Sequence, residues 1–171
     1  MTKTVLITGS STGIGYYCPK ALVERGYKVV ASCRKQVDVE RLQQQGIHSV
    51  VIDLSDEASI ENGYCQALEI LGHIDVLFNN GAYGQPGAVE DLPTDALRKQ
   101  FETNLFGWHH LTRLAIKHMR ERGHGRIIQN SSVLGLVTLP YRGAYNASKF
   151  ALEGLTDTLR QELSDTKIQV S

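Results

Sequence analysis

The stretch Thr8-Gly9-Ser10-Ser11-Thr12-Gly13-Ile14-Gly15 lies between a β-rich run, residues 4–7, and a helical pattern over residues 14–25. Glycines let the backbone turn tightly and approach a bound group, and the helix N-terminus presents free N–H groups to an anion. A P-loop would need Lys-Ser or Lys-Thr after the last glycine, and the sequence does not supply it. The spacing favours a strand–turn–helix loop that cradles a pyrophosphate, with a plain turn as the alternative.

Strand-like and helical segments alternate along the rest of the chain. Apolar runs occur at residues 28–32, 48–52, 74–79, 126–130 and 167–171, and helical patterns at residues 38–45, 56–71, 94–122 and 144–164. Nearly continuous apolar strands separated by helices are typical of a parallel sheet covered on both faces. The pattern predicts a Rossmann-like, doubly wound α/β sheet in a single domain, residues 1–171.

Composition excludes several classes of protein. Eighteen Lys and Arg residues balance eighteen Asp and Glu residues, so the overall charge gives no argument for a nucleic-acid partner. No apolar run reaches the roughly 18 residues of a membrane span. The three cysteines have no CxxC spacing, which is typical of reduced thiols in a cytoplasm. The six histidines form no metal-ligand motif, so we expect no metal site.

The end of the second strand bears on the choice of nucleotide. It reads Ser32-Cys33-Arg34-Lys35, with two cations and no carboxylate. An acid at this place holds the ribose hydroxyls of NAD, whereas an Arg accommodates the 2′-phosphate of NADP. The sequence therefore favours NADP(H) over NAD(H), and a solvated basic turn is the alternative.

Tyr145 and Lys149 stand four residues apart in a helical segment, so they share one face of the helix. A phenol is a weak acid, and a nearby ammonium favours its ionised form. The pair alone is common by chance. Three further features support it: Ser131-Ser132 after the fifth strand, Asn79-Asn80-Gly81 after the fourth, and an expected kink at Asn104. Both strand ends belong to the carboxyl edge, where open α/β sheets bind ligands.

Together these pieces resemble the short-chain dehydrogenases/reductases. The matching segments are TGSSTGIG (residues 8–15), NNGA (residues 79–82), Asn104, the Ser132 region and Tyr145-x-x-x-Lys149, in the order and spacing of the family. The resemblance spans essentially the whole chain. Its details are most similar to bacterial aldehyde/carbonyl reductases and to the retinol/steroid-dehydrogenase-like branch.

The resemblance implies roles for individual residues. Tyr145 would be the general acid/base, and Lys149 would support it and bind the nicotinamide ribose. Ser132 would hold the carbonyl oxygen while Ser131 packs or caps, and Asn104 would position a water in a proton relay. The implied cofactor contacts are those of the glycine loop and the neighbouring strand ends: Gly9, Ser11, Gly13, Ile14, Gly15, Arg34, Asp53, Leu54, Asn80 and Gly81.

Two departures from the family pattern stand out. The family's Asn-Asn-Ala-Gly reads Asn79-Asn80-Gly81-Ala82 here, so we expect strain at Ala82 if that position needs a positive φ, unless Gly81 takes over. Family members also continue past residue 171 with a cofactor loop, a substrate lid and a further strand. We therefore expect a C-terminally incomplete sheet, in a fragment that need not be active by itself.

The leading hypothesis is a cytoplasmic NADP(H)-dependent oxidoreductase that interconverts a carbonyl compound and an alcohol. Its small-molecule substrate would meet an apolar wall, with Leu134, Val137, Leu139 and Tyr141 as the candidates. We expect a dimer or tetramer formed through the helices over residues 94–122 and 144–164. The alternatives are a non-catalytic nucleotide-binding or dimerisation module and a sugar-nucleotide epimerase-like enzyme. The spacing of Gly9, Gly13 and Gly15 argues against the epimerase.

Overall fold

The computed structural model describes residues 2–171. Six parallel strands form one sheet in the order β3-β2-β1-β4-β5-β6. The strands are β1 (Thr4–Ile7), β2 (Lys28–Cys33), β3 (His48–Val51), β4 (Val76–Asn79), β5 (Gly125–Gln129) and β6 (Ile168–Val170). The predicted doubly wound α/β sheet is confirmed, with each predicted strand within two residues of its observed bounds.

Helices connect the strands in the expected order. They are α1 (Gly13–Glu24), α2 (Gln36–Gln44), α3 (Glu57–Leu71), α4 (Thr94–Phe101), α5 (Gly107–Arg122) and α6 (Gly143–Glu162). Strand β1 shows the double winding residue by residue, because alternate side chains of a strand point to opposite faces. Leu6 packs in the large core with α3, α5 and α6, whereas Val5 and Ile7 pack beside α1.

Helices cover both faces of the sheet, as predicted, but on one face they do not reach every strand. On the face that α1 and α2 cover over β1 to β3, the side chains of β4 and β5 stay partly accessible. Val76, Phe78 and Ile128 are half-buried there, and Arg126 is exposed. The opposite face is closed by the core around Leu77 and Ile127. The part of the sheet near β5 is therefore packed on one side within the described residues.

The prediction of a single helix over residues 94–122 is wrong in one respect. A π-helical turn, Glu102–Phe106, separates α4 from α5. A Cβ on Gly107 would lie 1.9 Å from the Leu54 carbonyl oxygen, so α5 begins against the backbone of the loop after β3. The expected irregularity at Asn104 is confirmed, and it is an extra-wide turn of the kind often found at functional sites.

Candidate active site

The loop after β1 is built around its glycines. Gly9 and Gly13 have φ angles of 69° and 58°, which a residue with a side chain rarely adopts. A Cβ on Gly15 would lie 2.2 Å from the Gly9 carbonyl oxygen, so the start of α1 touches the loop backbone. Thr12, the N-cap of α1, makes no side-chain capping hydrogen bond. The first N–H groups of α1 thus lack a side-chain cap, as an anion site requires.

The turn after β4 is locked onto this loop. The buried Thr8 hydroxyl accepts hydrogen bonds from the backbone N–H groups of Asn80 (2.9 Å) and Gly81 (3.0 Å). In return the Asn80 side-chain amide donates to the carbonyl oxygens of Thr8 (3.0 Å) and Gly9 (3.3 Å). A Cβ on Gly9 would lie 2.3 Å from the Cα of Gly81. The two turns therefore pack backbone against backbone.

The expected strain at Ala82 is wrong. Among the described residues Tyr141 is the one non-glycine with a positive φ, so Ala82 has an ordinary backbone conformation. The close approach falls on Gly81, where a Cβ would lie 2.8 Å from the Leu54 side chain and 3.1 Å from the backbone nitrogen of Gly9. Gly81 therefore fills the place of the family's glycine, because the position without room for a side chain lies one residue earlier in this chain.

A cleft of about 390 Å³ opens beside the glycine loop. Its lining includes six residues expected to meet a nucleotide or to flank one: Gly9, Ser11, Arg34, Asp53, Leu54 and Gly81. Arg34 is exposed, and no acidic side chain among residues 2–171 pairs with it. Gly13, Ile14 and Gly15 form the first turn of α1, directly after the loop, and are not part of the cleft lining. The structure brings these residues together, and their contacts to a cofactor stay predictions.

Arg41 supports the same loop from α2. Its guanidinium donates to the Ser11 carbonyl oxygen (2.7 Å) and pairs with Asp38 (3.0 Å). The sequence carries no local signal for this contact, because Arg41 lies 30 residues from Ser11 on a surface helix.

Tyr145 and Lys149 lie in the first two turns of α6. The Lys149 side chain is 1% exposed, and its ammonium donates to the Asn130 carbonyl oxygen (2.9 Å) and lies 5.7 Å from the centre of the Tyr145 ring. Burial lowers the pKa of Lys149 to about 8, and the negative charge of Glu153 opposes that shift. The pair predicted from the i, i+4 spacing is assembled in the structure.

A chain of hydrogen bonds joins Lys149 to the glycine loop. Asn130 donates through its side chain to Asn80 Oδ1 (2.8 Å), and Asn80 in turn donates to Gly9. The carbonyl oxygen of Asn130 receives the Lys149 ammonium. The Asn80 amide group donates inside the protein and its Oδ1 accepts one hydrogen bond there, so a ribose hydroxyl would have to donate to the second lone pair of Oδ1 or to the backbone carbonyl. Sequence reasoning did not single out Asn130, and the one available signal was its position directly after β5.

Of the two serines after β5, Ser131 is expected to pack or cap and Ser132 to hold a substrate oxygen. Ser132 is the cap, since its hydroxyl accepts from the Leu134 N–H (3.1 Å) at a short 3₁₀ turn. Ser131 packs, and its buried hydroxyl oxygen has no hydrogen-bond partner within the described residues. Capping uses a lone pair of Ser132 and leaves its proton free to donate, so the expected contact to a substrate oxygen stays a prediction.

Asn104 sits in the π-helical turn and holds the loop after β4. Its amide donates to the Tyr83 carbonyl oxygen (2.8 Å) and to the Ser148 hydroxyl (3.3 Å), and its side-chain oxygen accepts from the Tyr83 N–H (3.1 Å). The buried Gln100 adds a second bond to the same Tyr83 carbonyl. With both side-chain atoms bonded inside the protein, Asn104 would hold a relay water through its backbone carbonyl or through the second lone pair of its side-chain oxygen.

A second cleft, of about 510 Å³, lies in front of Tyr145. Its walls are Ala82, Tyr83, Gly84, Leu134, Leu139, Arg142 and Tyr145. A Cβ on Gly84 would lie 3.3 Å from the Tyr145 ring and 3.9 Å from a terminal nitrogen of Arg142, so both side chains converge on this glycine. Of the expected apolar wall, Leu134 and Leu139 line the cleft, whereas Val137 and Tyr141 are exposed outside the lining.

His73, His124 and Cys33 lie in surroundings that indicate structural roles. His73 and His124 each lie 3.3 Å from the Asp75 carboxylate, which also receives hydrogen bonds from Thr4. Burial raises the pKa of Cys33 to about 11, and nearby Asp38 adds to the shift, so its thiolate is disfavoured. Across residues 2–171 no three His, Cys, Asp or Glu side chains are grouped to hold a metal ion. In the same residues no helix combines the length and apolar character needed to cross a membrane.

The chain is similar in sequence to curated oxidoreductases. The protein YbbO of Escherichia coli strain K12, described as an uncharacterized oxidoreductase, is 41% identical over 100% of this chain. Mouse dehydrogenase/reductase SDR family member 7B is 33% identical over 98% of the chain. The chain spans 64% of the length of YbbO and 55% of that of the mouse protein.

Solved structures agree with these relatives. A short-chain dehydrogenase from Streptomyces avermitilis superposes with a TM-score of 0.93 at 33% identity, covering 99% of this chain and 63% of that one. The F189W variant of actinorhodin polyketide ketoreductase, solved with NADPH, gives a TM-score of 0.91 at 30% identity over 98% of this chain and 67% of that one. The sequence model described as short chain dehydrogenase matches residues 3–171. The chain belongs to the short-chain dehydrogenase/reductase family of oxidoreductases.

Proposed function

We propose that this chain carries the NADP(H) site and the proton-transfer group of an enzyme that interconverts a carbonyl compound and an alcohol. The observation that carries the proposal is the buried Lys149 ammonium. It lies beside the Tyr145 ring and connects through Asn130 and Asn80 to Gly9. A charged group at the end of such a network supports a site that joins cofactor binding to proton transfer.

The residues present fit a dinucleotide. The uncapped start of α1 and the open space around Gly13 suit a pyrophosphate, since no protein atom would meet a Cβ at Gly13 within 4 Å. Ile14 is 62% exposed, which leaves an apolar side chain for a bound nucleotide to cover. Asp53 and Leu54 line the adjoining cleft, where they would meet the adenine. The bound cofactor would supply the hydride for the carbonyl carbon.

Tyr145 would exchange the proton. In the reducing direction its O–H bond breaks, the proton goes to the substrate oxygen, and the phenolate left behind is stabilised by the Lys149 ammonium. Ser132 would donate its hydroxyl proton to the same substrate oxygen, because its one bond inside the protein is accepted from the Leu134 N–H and leaves that proton free. The Asn104 carbonyl would hold a water that returns a proton toward Lys149.

Arg34 supports a preference for NADP(H). It lines the nucleotide cleft, it has no acidic partner among the described residues, and a cation there would pair with a 2′-phosphate. The structurally similar ketoreductase was solved with NADPH. We expect tighter binding of NADPH than of NADH.

The cleft before Tyr145 gives a coarse proposal for the substrate. Leu134 and Leu139 offer apolar contacts, and Arg142 is the one charged side chain of the lining. This combination favours an apolar aldehyde or ketone, and a substrate with an anionic group near the carbonyl would find a cation at the rim. A series of paired carbonyl compounds with and without a carboxylate tests the choice.

The decisive experiment pairs Tyr145→Phe with cofactor titration. We expect turnover of the carbonyl series to fall by at least about 10²-fold while micromolar NADPH binding persists. Unchanged turnover would contradict the assignment of Tyr145 as acid/base. Binding of NADPH with no turnover in the parent chain would favour the nucleotide-binding module, and activity on sugar nucleotides alone would favour the epimerase.

We also propose that the chain pairs with a second copy as a single-domain subunit. A groove of about 290 Å³ between α5 and α6 has mainly apolar walls, including Leu105, Ile116, Leu152, Leu155 and Leu159. Leu155→Asp should shift the particle to the monomer mass in light scattering, and an unchanged mass would exclude this face.

The free cysteines suit a reducing compartment such as the cytoplasm.

A further inference from the structure

Trp108 stands at the start of α5 and is fully buried. Its indole N–H donates to the Gly81 carbonyl oxygen at 2.6 Å. The face of its ring lies 4.3 Å, centre to nitrogen, from the Lys149 ammonium. Trp108 therefore touches both halves of the site: the turn that packs on the glycine loop and the lysine that serves Tyr145.

Lys149 has few partners other than the ring face of Trp108. An ammonium has three donors, and the structure gives this one a single hydrogen-bond acceptor, the Asn130 carbonyl. The titratable groups that face it are Glu153 and Tyr145, both on its own helix. From the π-helical turn and α5, the facing group is the uncharged indole. The negative face of an aromatic ring attracts a cation, most strongly for tryptophan, and more so when water is excluded.

We infer that Trp108 is a positioning residue that holds the Lys149 ammonium charged against its indole face and fixes that position relative to Gly81 and the glycine loop. The consequence for turnover rests on the proposed function, because a charged Lys149 is what favours the ionised Tyr145. The contact itself does not depend on that function. The competing explanation is that Trp108 only fills the core, where its size alone would matter.

The structure offers a direct readout, because Trp108 is the only tryptophan of the chain. Loss of the proton from Lys149 removes a cation from the indole face, so we expect tryptophan emission to titrate with a midpoint near pH 8. In Lys149→Met this transition should disappear. A titration that is the same in Lys149→Met would overturn the inference, and the measurement needs neither cofactor nor substrate.

Two variants separate charge stabilisation from packing. In Trp108→Leu, the Lys149 midpoint, followed by ¹⁵N NMR of the labelled lysine side chain, should fall by about one pH unit, or about 1.4 kcal/mol. Trp108→Phe keeps a ring face and should restore roughly half of that shift. Tyr64→Leu, a buried aromatic of α3 outside the site, is the matched control and should leave the midpoint unchanged.

Equal midpoints in the parent chain, Trp108→Phe and Trp108→Leu would overturn the inference in favour of core filling. Should Trp108→Leu fail to fold, the emission titration and Trp108→Phe still decide. In an active enzyme the alkaline limb of the kcat profile should move by the same amount as the Lys149 midpoint. If the proposed function is wrong, turnover is absent throughout while the Lys149 midpoints still differ.

Discussion

Two regions meet at the carboxyl edge of the sheet and differ in how tightly their residues are packed. We call the loop of residues 8–15 with the turn of residues 80–81 the nucleotide side, and the pair of loops over residues 83–89 and 133–142 the substrate side, after their proposed roles. On the nucleotide side, a methyl group added to Gly9 or Gly15 would overlap neighbouring backbone. On the substrate side, Val89, Leu136 and Tyr141 are about 70% exposed.

The difference indicates how each side is specified. The nucleotide side depends on backbone contacts and on polar groups that pair with each other, such as Thr8 with Asn80. A ligand of fixed shape suits such a rigid cradle. The substrate side presents exposed side chains such as Leu136 and Val137, so these positions can change without disturbing the fold. Substitutions should therefore alter stability on the first side and specificity on the second.

The largest effect should come from Gly15→Ala. Its Cβ would meet the Gly9 carbonyl oxygen and the Asn80 amide, so the loop or α1 must shift, and we expect a loss of about 3 kcal/mol in urea unfolding. Gly154→Ala in α6 is the control, because nothing lies within 4 Å of its Cβ and alanine favours a helix by about 1 kcal/mol. Equal effects of the two changes would remove the distinction between the regions.

Thr8→Val tests the polar half of the comparison. It removes the acceptor of the Asn80 and Gly81 N–H groups without changing side-chain volume much, and we expect a loss of about 2 kcal/mol. Thr158→Val, whose hydroxyl bonds a carbonyl on the exposed surface of α6, should change stability by less than about 0.5 kcal/mol. A neutral Thr8→Val would mean that water satisfies both N–H groups.

Arg34→Ala asks whether the cation at the rim of the nucleotide side is functional. We expect NADPH affinity to fall about tenfold, or about 1.4 kcal/mol, with NADH affinity and stability unchanged. Lys99→Ala, an exposed cation of α4, should leave both affinities unchanged. Equal losses for NADPH and NADH would assign Arg34 to a general electrostatic role rather than to the 2′-phosphate.

The smallest effect on stability should come from Leu136→Ala on the substrate side. Leu136 is 69% exposed, so we expect the free energy of unfolding to change by less than about 0.5 kcal/mol in urea unfolding. The buried Leu77→Ala should by contrast lose about 3 kcal/mol. A large loss from Leu136→Ala would mean that this loop contributes to the core after all.

Local patterns predicted most of the fold. Apolar runs of four to six residues with intervening helical periods gave the six strands in order, because a strand buried between helix layers leaves little room for polar side chains. The i, i+4 spacing of Tyr145 and Lys149 likewise predicted a shared face that the structure confirms. The π-helical turn at Asn104 was foreseen only as a kink, since it follows from the approach of Gly107 to Leu54, 53 residues away.

The sequence alone determined three features: the chain order of strands and helices, the glycine loop, and the residue types at the carboxyl edge. Each of them depends on neighbours within a few residues. Only the tertiary structure decided that Gly81, not Ala82, takes the close contact, and that Ser132 caps while Ser131 packs. It also decided that Trp108 lies against Lys149. These are contacts between segments distant in sequence, fixed by how α5, α6 and the strand ends pack together, and no local pattern records them.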